Sequence, residues 1–408
     1  MRCPEPQQWE GQIWDPGHLR RIQEHPCYSP KAVHAYGRIH LPVAPKCNIQ
    51  CNYCIRDFDC LHESRPGVTS RVISPQEALD RVSEVIEKFP NIKVVGIAGP
   101  GEPLYNDETF ETFRLIKRNF PGLHHCVSSN GLLLVDKLDE LVEVGVGNIT
   151  VTLNTLKPEI GEKIYSFIML GGRTYRGKEG AQILVQNQLA GIKEAVKKGM
   201  IVKVNTVLIP GINDHHILEI ADQARELGVY IHNIMPLIPQ HLFSHLTPPT
   251  PEERKRIQDE CAEIIPQMRH CRQCRADAVG KLGEDLSSML PYPDKIKVAV
   301  STTGSSGVVD LHFGHTRRFS IYEVEVKTHS IQFLEERVVH EAYCQGPECD
   351  LPEGQEALIQ HMIDLLKDCK FLLTRRIGST PEALLKKAGI IPIMCADTIE
   401  NAIQKVLL

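Results

Sequence analysis

The stretch Cys47-Asn48-Ile49-Gln50-Cys51-Asn52-Tyr53-Cys54 carries three cysteines, with three and then two residues between them, directly after the apolar run 39–43. A [4Fe-4S] cluster usually takes four cysteine ligands, so a tight triplet leaves one iron for a small molecule. A zinc site is the alternative, but zinc sites commonly close with a second pair of Cys or His ligands. The triplet therefore predicts a cluster that performs chemistry and does not only store electrons.

The sequence around the triplet predicts an α/β fold. From about residue 44 to residue 239, apolar β-branched runs alternate with longer amphipathic segments, which is typical of repeated βα units around a parallel sheet. The predicted strands are 92–97, 124–128, 148–153, 201–208 and 230–235. The predicted helices are 76–88, 108–119, 132–144, 181–198 and 217–227. Ligand sites of such sheets lie at the carboxyl ends of the strands.

The spacing of the triplet resembles the CxxxCxxC signature of the radical S-adenosylmethionine enzymes. The resemblance implies an α/β fold with a partial (β/α)6-type TIM barrel. It also implies that S-adenosylmethionine chelates the open iron through its amino and carboxylate groups, and that reductive cleavage gives a 5′-deoxyadenosyl radical. Radical chemistry of this kind belongs to the cofactor, while the protein positions it.

The loop Ala98-Gly99-Pro100-Gly101-Glu102-Pro103 follows the predicted strand 92–97. Gly99 and Gly101 permit close backbone approach to a ligand, and Glu102 can accept a hydrogen bond from an ammonium group. A glycine-rich turn without a ligand is the alternative. The loop resembles the GGEP segment of the radical enzymes, which implies that it holds the methionyl amino group.

Polar residues near the other strand ends are candidates for contacts to the ribose or the carboxylate of S-adenosylmethionine. They are Ser128, Asn130, Asn154 and Asn205. Each can equally cap a helix or close a turn.

Six further cysteines lie in the same part of the chain: Cys27, Cys60, Cys126, Cys261, Cys271 and Cys274. An isolated cysteine is commonly a small buried residue, and we assign Cys261 to packing within a predicted helix. The CxxC pair at Cys271 and Cys274 differs, because this spacing places two sulfurs within reach of one metal or cluster.

Several segments together resemble the NifB family of nitrogenase cofactor biosynthesis proteins. They are the triplet with Cys60, His25-Pro26-Cys27-Tyr28, Glu63-Ser64-Arg65-Pro66-Gly67-Val68 and His270-Cys271-Arg272-Gln273-Cys274-Arg275-Ala276-Asp277. The resemblance runs from about residue 25 to residue 285. It implies an enzyme that fuses two [4Fe-4S] clusters, inserts a carbon derived from S-adenosylmethionine and adds one sulfur. The product would be the 8Fe-9S-C precursor of the nitrogenase cofactor.

This resemblance implies three [4Fe-4S] clusters, one catalytic and two serving as substrates, with three sets of ligands. The catalytic cluster would be held by Cys47, Cys51 and Cys54. The first substrate cluster would be held by His25, Cys60 and Cys126. The second would be held by Cys27, Cys271 and Cys274. Because His25 and Cys27 are close in sequence, an exchange of their two roles is the alternative.

The methyl chemistry of the family also requires a base near the substrate clusters. Glu63, Glu102 and His125 are the candidates. Arg65 could bind an anionic cluster or a sulfur source such as sulfite.

The chain of 408 residues exceeds what one core usually holds, and its composition changes near residues 283–293. We expect an extension at 1–35 that contributes cluster ligands and a radical S-adenosylmethionine domain at 36–282 that ends in the CxxC extension. A linker at 283–294 and a second domain at 295–408 would follow. The second domain resembles the small domains that bind the iron–molybdenum cofactor, which implies a ribonuclease-H-like α/β fold. It either receives the product, with His312 or His315 as ligands, or only stabilises the enzyme.

Bulk properties bound the function further. The net charge of −5, from 46 basic and 51 acidic residues, gives no reason to expect a nucleic-acid partner. Neither a secretory signal nor a membrane span is recognisable, so we expect a cytoplasmic protein, in which 14 cysteines favour metal ligation over disulfides. The expected partners are an iron–sulfur cluster donor, a carrier or scaffold protein and an electron donor such as ferredoxin. The alternatives are a radical enzyme with auxiliary clusters that modifies a peptide or inserts sulfur, and a non-catalytic iron–sulfur scaffold or carrier.

Overall fold

The computed structural model describes residues 16–55, 65–289, 295–304, 307–326, 328–339 and 356–407. The chain divides into two compact units between residues 290 and 291. No helix within these described ranges is both long enough and apolar enough to cross a membrane.

The first unit contains ten strands and nine helices in its described part. The strands are β1 (Gly37–His40), β2 (Ile49–Cys51), β3 (Ile92–Ile97), β4 (His124–Ser129), β5 (Val146–Thr152), β6 (Tyr165–Leu170), β7 (Arg173–Tyr175), β8 (Ile201–Leu208), β9 (Ile231–Pro236) and β10 (Val279–Gly280). The helices are α1 (Pro16–Gln23), α2 (Ala32–Ala35), α3 (Pro75–Lys88), α4 (Asp107–Asn119), α5 (Leu134–Glu143), α6 (Pro158–Ile164), α7 (Gly177–Lys197), α8 (Ile217–Glu226) and α9 (Pro251–Ala262).

Seven of these strands form one sheet in the order β10-β1-β3-β4-β5-β8-β9. Each neighbouring pair from β1 to β9 is parallel, and β10 runs antiparallel to β1 at the edge. A helix connects each parallel strand to the next, so the unit has six βα repeats. The predicted α/β class and partial (β/α)6 barrel are therefore confirmed.

Local sequence explains where these elements begin. Helix α3 starts after Ser74, whose hydroxyl accepts from the amide of Glu77 while the Glu77 carboxylate accepts from the amide of Ser74. This reciprocal capping box, with Pro75 in the first turn, fixes the helix start. Every residue of β3 except Lys93 is buried, because helices cover a parallel sheet on one side and the interior of the barrel lies on the other.

A second, smaller sheet of the first unit was not predicted from the sequence. It has the order β2-β6-β7, and both of its pairings are antiparallel. Strand β2 is three residues long and ends in a cysteine, so its composition carries no strand signal. The sheet attaches the cysteine triplet to a core that includes Ile49, Ile164 and Ile168.

The second unit has the strands β11 (Lys295–Ser301), β12 (Arg318–Glu325), β13 (Ile331–Val338), β14 (Phe371–Thr374) and β15 (Ile391–Met394). Its described helices are α10 (Glu356–Leu365), α11 (Ser379–Lys387) and α12 (Ile399–Leu407). The sheet order is β13-β12-β11-β14-β15, with antiparallel pairs on one side of β11 and parallel pairs on the other. This mixed sheet is the arrangement expected of a ribonuclease-H-like α/β unit.

The two faces of the second sheet bury separate cores. Ile363 of α10 and Leu385 of α11 pack with Ala299 on one face, and Ile403 of α12 packs with Val300 on the other. Strand β13 was not predicted, because most of its residues are exposed at the edge of the sheet and its apolar residues do not alternate.

Candidate functional site

An open cavity lies in the first unit, on the interior face of the parallel sheet, with an empty volume of about 1350 Å³ including its mouth. Its wall is built from the loop after β1, the loop after β3 and the inward residues of β4, β5, β8 and β9. Eight of the residues predicted to bind clusters line it: His25, Cys27, Cys47, Cys51, Cys54, Cys126, Cys271 and Cys274. The ninth, Cys60, lies outside the described residues.

The cysteine triplet sits on a short turn that its own side chains hold in shape. The amide of Cys54 donates to the carbonyl oxygen of Cys51 at 3.1 Å. The Gln50 side chain donates to the same oxygen at 2.9 Å and to the carbonyl oxygen of Cys54 at 3.0 Å. Asn52 ties the turn to its surroundings by donating to the carbonyl oxygen of Lys163 at 2.8 Å. The turn therefore presents three thiols to the cavity from a fixed backbone.

The loop after β3 packs directly against the backbone that leads into the triplet. The amide of Gly101 donates to the carbonyl oxygen of Ala44 at 2.6 Å. A Cβ at Gly101 would overlap the carbonyl oxygens of Pro45 and Lys46. Gly101 lines the cavity, but the close approach that it permits is between two protein segments, which corrects our expectation of an approach to a ligand. Gly99, also expected to approach a ligand, is not part of the cavity lining.

Asn106 fastens the same two segments and was missed in the sequence. Its buried side chain accepts from the amide of Lys46 at 3.2 Å and donates to the carbonyl oxygen of Lys46 at 2.9 Å. It also donates to the carbonyl oxygen of Glu102 at 2.8 Å. Asn106 therefore fixes the position of the triplet relative to Glu102.

Glu102 lines the cavity with a buried carboxylate, 3% of the residue being exposed. One carboxylate oxygen accepts from the Ser129 hydroxyl at 2.7 Å and from the amide of Leu104 at 3.0 Å, and the other accepts from the amide of Asn130 at 2.6 Å. Burial raises the pKa of Glu102 to about 7, although these three hydrogen bonds oppose the shift. The carboxylate is thus oriented, and a cation in the cavity would favour its charged form.

The predicted polar contacts to S-adenosylmethionine divide into two groups. Ser128, Asn130 and Asn205 line the cavity. Asn154 does not: its side chain is fully buried and donates to the hydroxyls of Tyr53 at 2.8 Å and Tyr165 at 3.2 Å. Its side-chain oxygen accepts from the amide of Val207 at 2.9 Å. The expectation of a direct cofactor contact is wrong for Asn154, because neighbouring protein groups use its side chain.

Two histidines line the cavity, the buried His25 and the half-buried His40, and their ring nitrogens have different hydrogen-bond partners. The Nδ1 of His25 accepts from the amide of Cys27 at 3.1 Å, so in the neutral ring the proton is on Nε2. That Nε2 is buried and has no hydrogen-bond partner among the described residues. A protonated ring nitrogen cannot bind a metal, so this geometry does not suit the ligand role that we expected for His25.

His40 has the opposite arrangement and was missed in the sequence. Its Nδ1 lies 3.0 Å from the carbonyl oxygen of Arg275, which can only accept, so Nδ1 carries the proton. Burial lowers the pKa of His40 to about 4 and keeps the ring neutral, with a lone pair on Nε2. Metal-binding histidines typically donate their other ring N–H in this way. His40 ends β1, at the carboxyl edge of the first parallel strand, and this position is the signal that could have identified it.

Four half-buried cysteines besides the triplet line the cavity. Burial raises the pKa of Cys126 to about 12, and it raises the pKa of Cys27 against the opposing charges of Lys203 and Arg38. The guanidinium of Arg38 donates to the sulfur of Cys274 at 3.1 Å. Cys271 completes the set. The structure thus brings Cys126 together with the three cysteines predicted to bind the second substrate cluster.

Lys203 is the least expected residue of the cavity wall. It projects from the interior face of β8, and 7% of the residue is exposed. Its ammonium lies 4.0 Å from the sulfur of Met268 and 5.7 Å from the centre of the Tyr28 ring. No sequence motif surrounds this residue, and its burial becomes visible only in the fold.

Of the candidates for acid–base chemistry, Glu102 lines the cavity and His125 does not. The ring of His125 stacks on Phe113 of α4 with 4.9 Å between centroids, and its Nδ1 lies 3.0 Å from the carbonyl oxygen of Val144. It faces the helices because successive strand residues point to opposite faces, so our expectation of a base at the clusters is wrong for His125. Arg65 donates to the carbonyl oxygen of Ile55 at 3.0 Å and lines a smaller neighbouring cavity. Glu63 lies outside the described residues.

In the second unit, the predicted product ligands His312 and His315 have ring centroids 5.2 Å apart. The Nδ1 of His312 accepts from the amide of Gly314 at 3.0 Å. The two rings are therefore neighbours at the start of the segment that leads into β12.

Two protein-family models match this chain. The radical SAM superfamily model matches residues 41–224, which contain the triplet and the strands β2 to β8. The model described as dinitrogenase iron-molybdenum cofactor matches residues 294–407, which make up nearly all of the second unit.

Curated relatives match almost the whole chain. The FeMo cofactor biosynthesis protein NifB of Klebsiella pneumoniae is 42% identical over 94% of this chain and 89% of its own length. The protein of the same name from Chlorobaculum tepidum is 38% identical over 94% of this chain and 92% of its own length. That of Azotobacter vinelandii is 36% identical over 95% of this chain and 88% of its own length.

Proposed function

Since the chain belongs to the NifB family of FeMo cofactor biosynthesis proteins, we propose that it fuses two [4Fe-4S] clusters around a carbide derived from S-adenosylmethionine. One additional sulfur completes the product, the 8Fe-9S-C precursor of nitrogenase cofactor. The family and the two matching models support a radical SAM enzyme in FeMo-cofactor biosynthesis. Insertion of the carbide and fusion of the two clusters are what we propose beyond that role.

One observation carries the proposal: a single cavity is lined by the cysteine triplet and by a second group of four cysteines and two histidines. The triplet alone is sufficient for the cluster that cleaves S-adenosylmethionine, so the second group of ligands needs another function. The additional soft ligands suit iron–sulfur substrates held next to the catalytic cluster.

The residues fit the resident cofactors. The fixed turn of Cys47, Cys51 and Cys54 would hold the catalytic cluster, and the oriented carboxylate of Glu102 would hold the methionyl amino group. When bound, the cluster and S-adenosylmethionine supply the 5′-deoxyadenosyl radical. The Gly101 contact with Ala44 fixes the spacing between the triplet and the carboxylate.

The substrate clusters would occupy the part of the cavity that the second group of ligands lines. His40 replaces His25 as the nitrogen ligand of the first cluster, beside Cys126 and Cys60, the last of which lies outside the described residues. Cys27, Cys271 and Cys274 would hold the second cluster. Arg38 donates to the Cys274 sulfur, so it would orient this ligand and offset part of its negative charge.

The proposed partners follow from this chemistry. A cluster donor would load the two substrates, a ferredoxin-type protein would supply electrons, and a carrier or scaffold protein would accept the product. The second unit would take part in that transfer, since its matching family model is described by the iron–molybdenum cofactor.

Iron counting after anaerobic reconstitution tests the number of clusters. We expect about twelve irons per wild-type chain, since three cubanes carry four irons each. The variant with Cys47, Cys51 and Cys54 replaced by alanine should retain about eight, and Cys271→Ala should lose about four while still binding S-adenosylmethionine. Cys261→Ala is the matched control, because Cys261 is buried within α9 and is absent from the lining of the cavity. A wild-type chain that binds only about four irons would exclude fusion and leave a single-cluster radical enzyme.

A further inference from the structure

Lys203 is a buried cation without an acidic partner in the part of the chain that the structure describes. Its ammonium contacts the weakly accepting sulfur of Met268 at 4.0 Å and faces the Tyr28 ring. Most described lysines that form ion pairs do so at the surface, as Lys198 does with Asp139 at 2.6 Å. Burying an ammonium group without a counter-charge is costly, so its position in the cavity wall calls for an anion.

The described wall of the cavity supplies little negative charge of its own. Glu102 is the one carboxylate among the lining residues that the structure describes, and three protein donors already occupy it. The groups that interact electrostatically with Lys203 and can become negative are instead cysteines of both predicted ligand sets: Cys27, Cys126, Cys271 and Cys274. His25, His40 and His270 also interact with it but supply no negative charge. The ammonium is therefore within electrostatic reach of both substrate positions.

We propose that Lys203 is the residue that binds the anionic substrate clusters and offsets their mutual repulsion as they approach each other. This inference rests on the proposed function. A [4Fe-4S]2+ core held by three thiolates carries one net negative charge. The same core held by two thiolates and a neutral histidine is uncharged and becomes an anion when it gains one electron, so two anions must come together once the clusters are reduced. Inside a cavity of low dielectric constant, like charges repel more strongly than in water, and a fixed cation near both reduces that energy.

The position of Lys203 in the fold suits this role. It lies on β8, which pairs with β5 on one side and with β9 on the other, so hydrogen bonds on both sides hold its backbone. Its Cα pairs in register with Thr150, which also lines the cavity. Because the strand holds the backbone of Lys203 in place, its ammonium group is preorganised for a ligand that must be held and later released.

Comparison of Lys203→Met with Lys203→Arg in the full chain tests the proposal. We expect Lys203→Met to bind about four irons per chain where the wild type binds about twelve, and to form precursor at least about tenfold more slowly. Its affinity for S-adenosylmethionine should stay within about twofold of wild type. Lys203→Arg, which keeps the charge, should recover more than half of the lost iron. Lys198→Met is the control for loss of a lysine on the surface of the same unit and should behave as wild type.

Protein without iron gives a second readout. Without substrate clusters the buried ammonium is uncompensated, so Lys203→Met should melt at the same temperature as the wild type or higher. A merely structural lysine would instead leave this variant less stable. If Lys203→Met does not fold, Lys203→Gln takes its place as the neutral variant in the same comparison with Lys203→Arg.

Three results would overturn the proposal. The first is a neutral variant that binds about twelve irons and forms precursor within about twofold of the wild-type rate. The second is a neutral variant that keeps its iron but loses affinity for S-adenosylmethionine, which would assign Lys203 to the cofactor carboxylate. The third is an apo variant that melts lower than the wild type and whose iron Lys203→Arg does not restore. Failure of the proposed function itself is distinct, because the wild-type chain would then bind only about four irons.

Discussion

The side-chain amide of Asn154 donates to the hydroxyl of Tyr53 at 2.8 Å, which joins the residue after β5 to the middle of the cysteine triplet. The same amide donates to Tyr165, and its oxygen accepts from the backbone of β8. One buried side chain thus fixes two tyrosines that face the cavity. The position of the triplet depends on the parallel sheet through this contact.

Replacing Asn154 by alanine should therefore destabilise the first unit. The substitution leaves buried polar groups of Tyr53, Tyr165 and Val207 unsatisfied, for which we expect a loss of about 2–4 kcal/mol in the free energy of unfolding. Denaturant unfolding of the apo chain under reducing conditions measures it. Asn119→Ala, at an exposed helix end, is the control and should change stability by less than about 0.5 kcal/mol. Equal stability of the two variants would contradict the role that we assign to Asn154.

Gly101 offers a steric test of the contact between the Glu102 loop and the triplet. In Gly101→Ala, the new methyl group would meet the carbonyl oxygens of Pro45 and Lys46, which backbone hydrogen bonds hold in place. We expect a cost of about 1–3 kcal/mol and reduced iron in the catalytic cluster. Gly122→Ala is the matched control, because a Cβ there meets open space. If the Gly101→Ala variant has wild-type stability and iron content, the two segments separate easily and the contact does not fix their spacing.

The raised pKa of Glu102 predicts how the stability of the apo protein depends on pH. Burial raises the pKa from 4.5 to about 7, so the folded state binds a proton more tightly than the unfolded state. The stabilisation from this proton is fully present below pH 4.5 and is lost as the pH rises through about 7. Relative to Glu102→Gln, the free energy of unfolding of the wild type should fall by up to about 3 kcal/mol over this window. An identical pH slope in both proteins would contradict the shifted pKa.

The same group should make the binding of S-adenosylmethionine depend on pH. If the carboxylate form of Glu102 holds the amino group, affinity should rise about tenfold between pH 6 and pH 8, since the charged fraction rises by about that factor. Glu102→Gln should bind weakly at both pH values. Calorimetric titration of the reconstituted chain measures this, and a wild-type affinity independent of pH would exclude Glu102 from this contact.

Substitution of the two histidines distinguishes between them as ligands. His40→Ala should remove the nitrogen signal from the pulsed electron paramagnetic resonance spectrum of the first substrate cluster and lower its occupancy. His25→Ala should keep that signal, because the Nδ1 of His25 accepts from the backbone of Cys27 and its Nε2 carries a proton. The reverse outcome would restore the interpretation that we made from sequence.

Much of the fold could be predicted because each βα unit carries local signals. The limits of β3 and β8 match their predicted ranges residue for residue, since segments rich in β-branched residues end shortly before Gly and Pro. The predicted helix 76–88 differs from α3 by one residue at its start, where Ser74 and Pro75 cap the helix. The sheet of β2, β6 and β7 gave no such signal, because β2 and β7 are three residues long.

The cysteines of the candidate site could be predicted from the sequence, but the orientation of the side chains and their contacts could not. Spacing identified the thiols because soft ligands cluster in sequence, and the topology then brought distant ones together. Orientation decided the remaining cases: His125 and Cys126 are neighbours on one strand, yet only Cys126 lines the cavity. Lys203 and His40 were missed because their burial and partners depend on segments far away in the chain.

The fate of one carbon atom tests the central claim most directly. The reconstituted chain is incubated with dithionite and S-adenosylmethionine labelled in its methyl group, and the iron–sulfur product is extracted and analysed for the label. We predict one labelled carbon in each extracted cluster, no label after alanine substitution of Cys47, Cys51 and Cys54, and no label in Cys271→Ala. Wild-type protein that cleaves S-adenosylmethionine and yields clusters without the label would contradict the account.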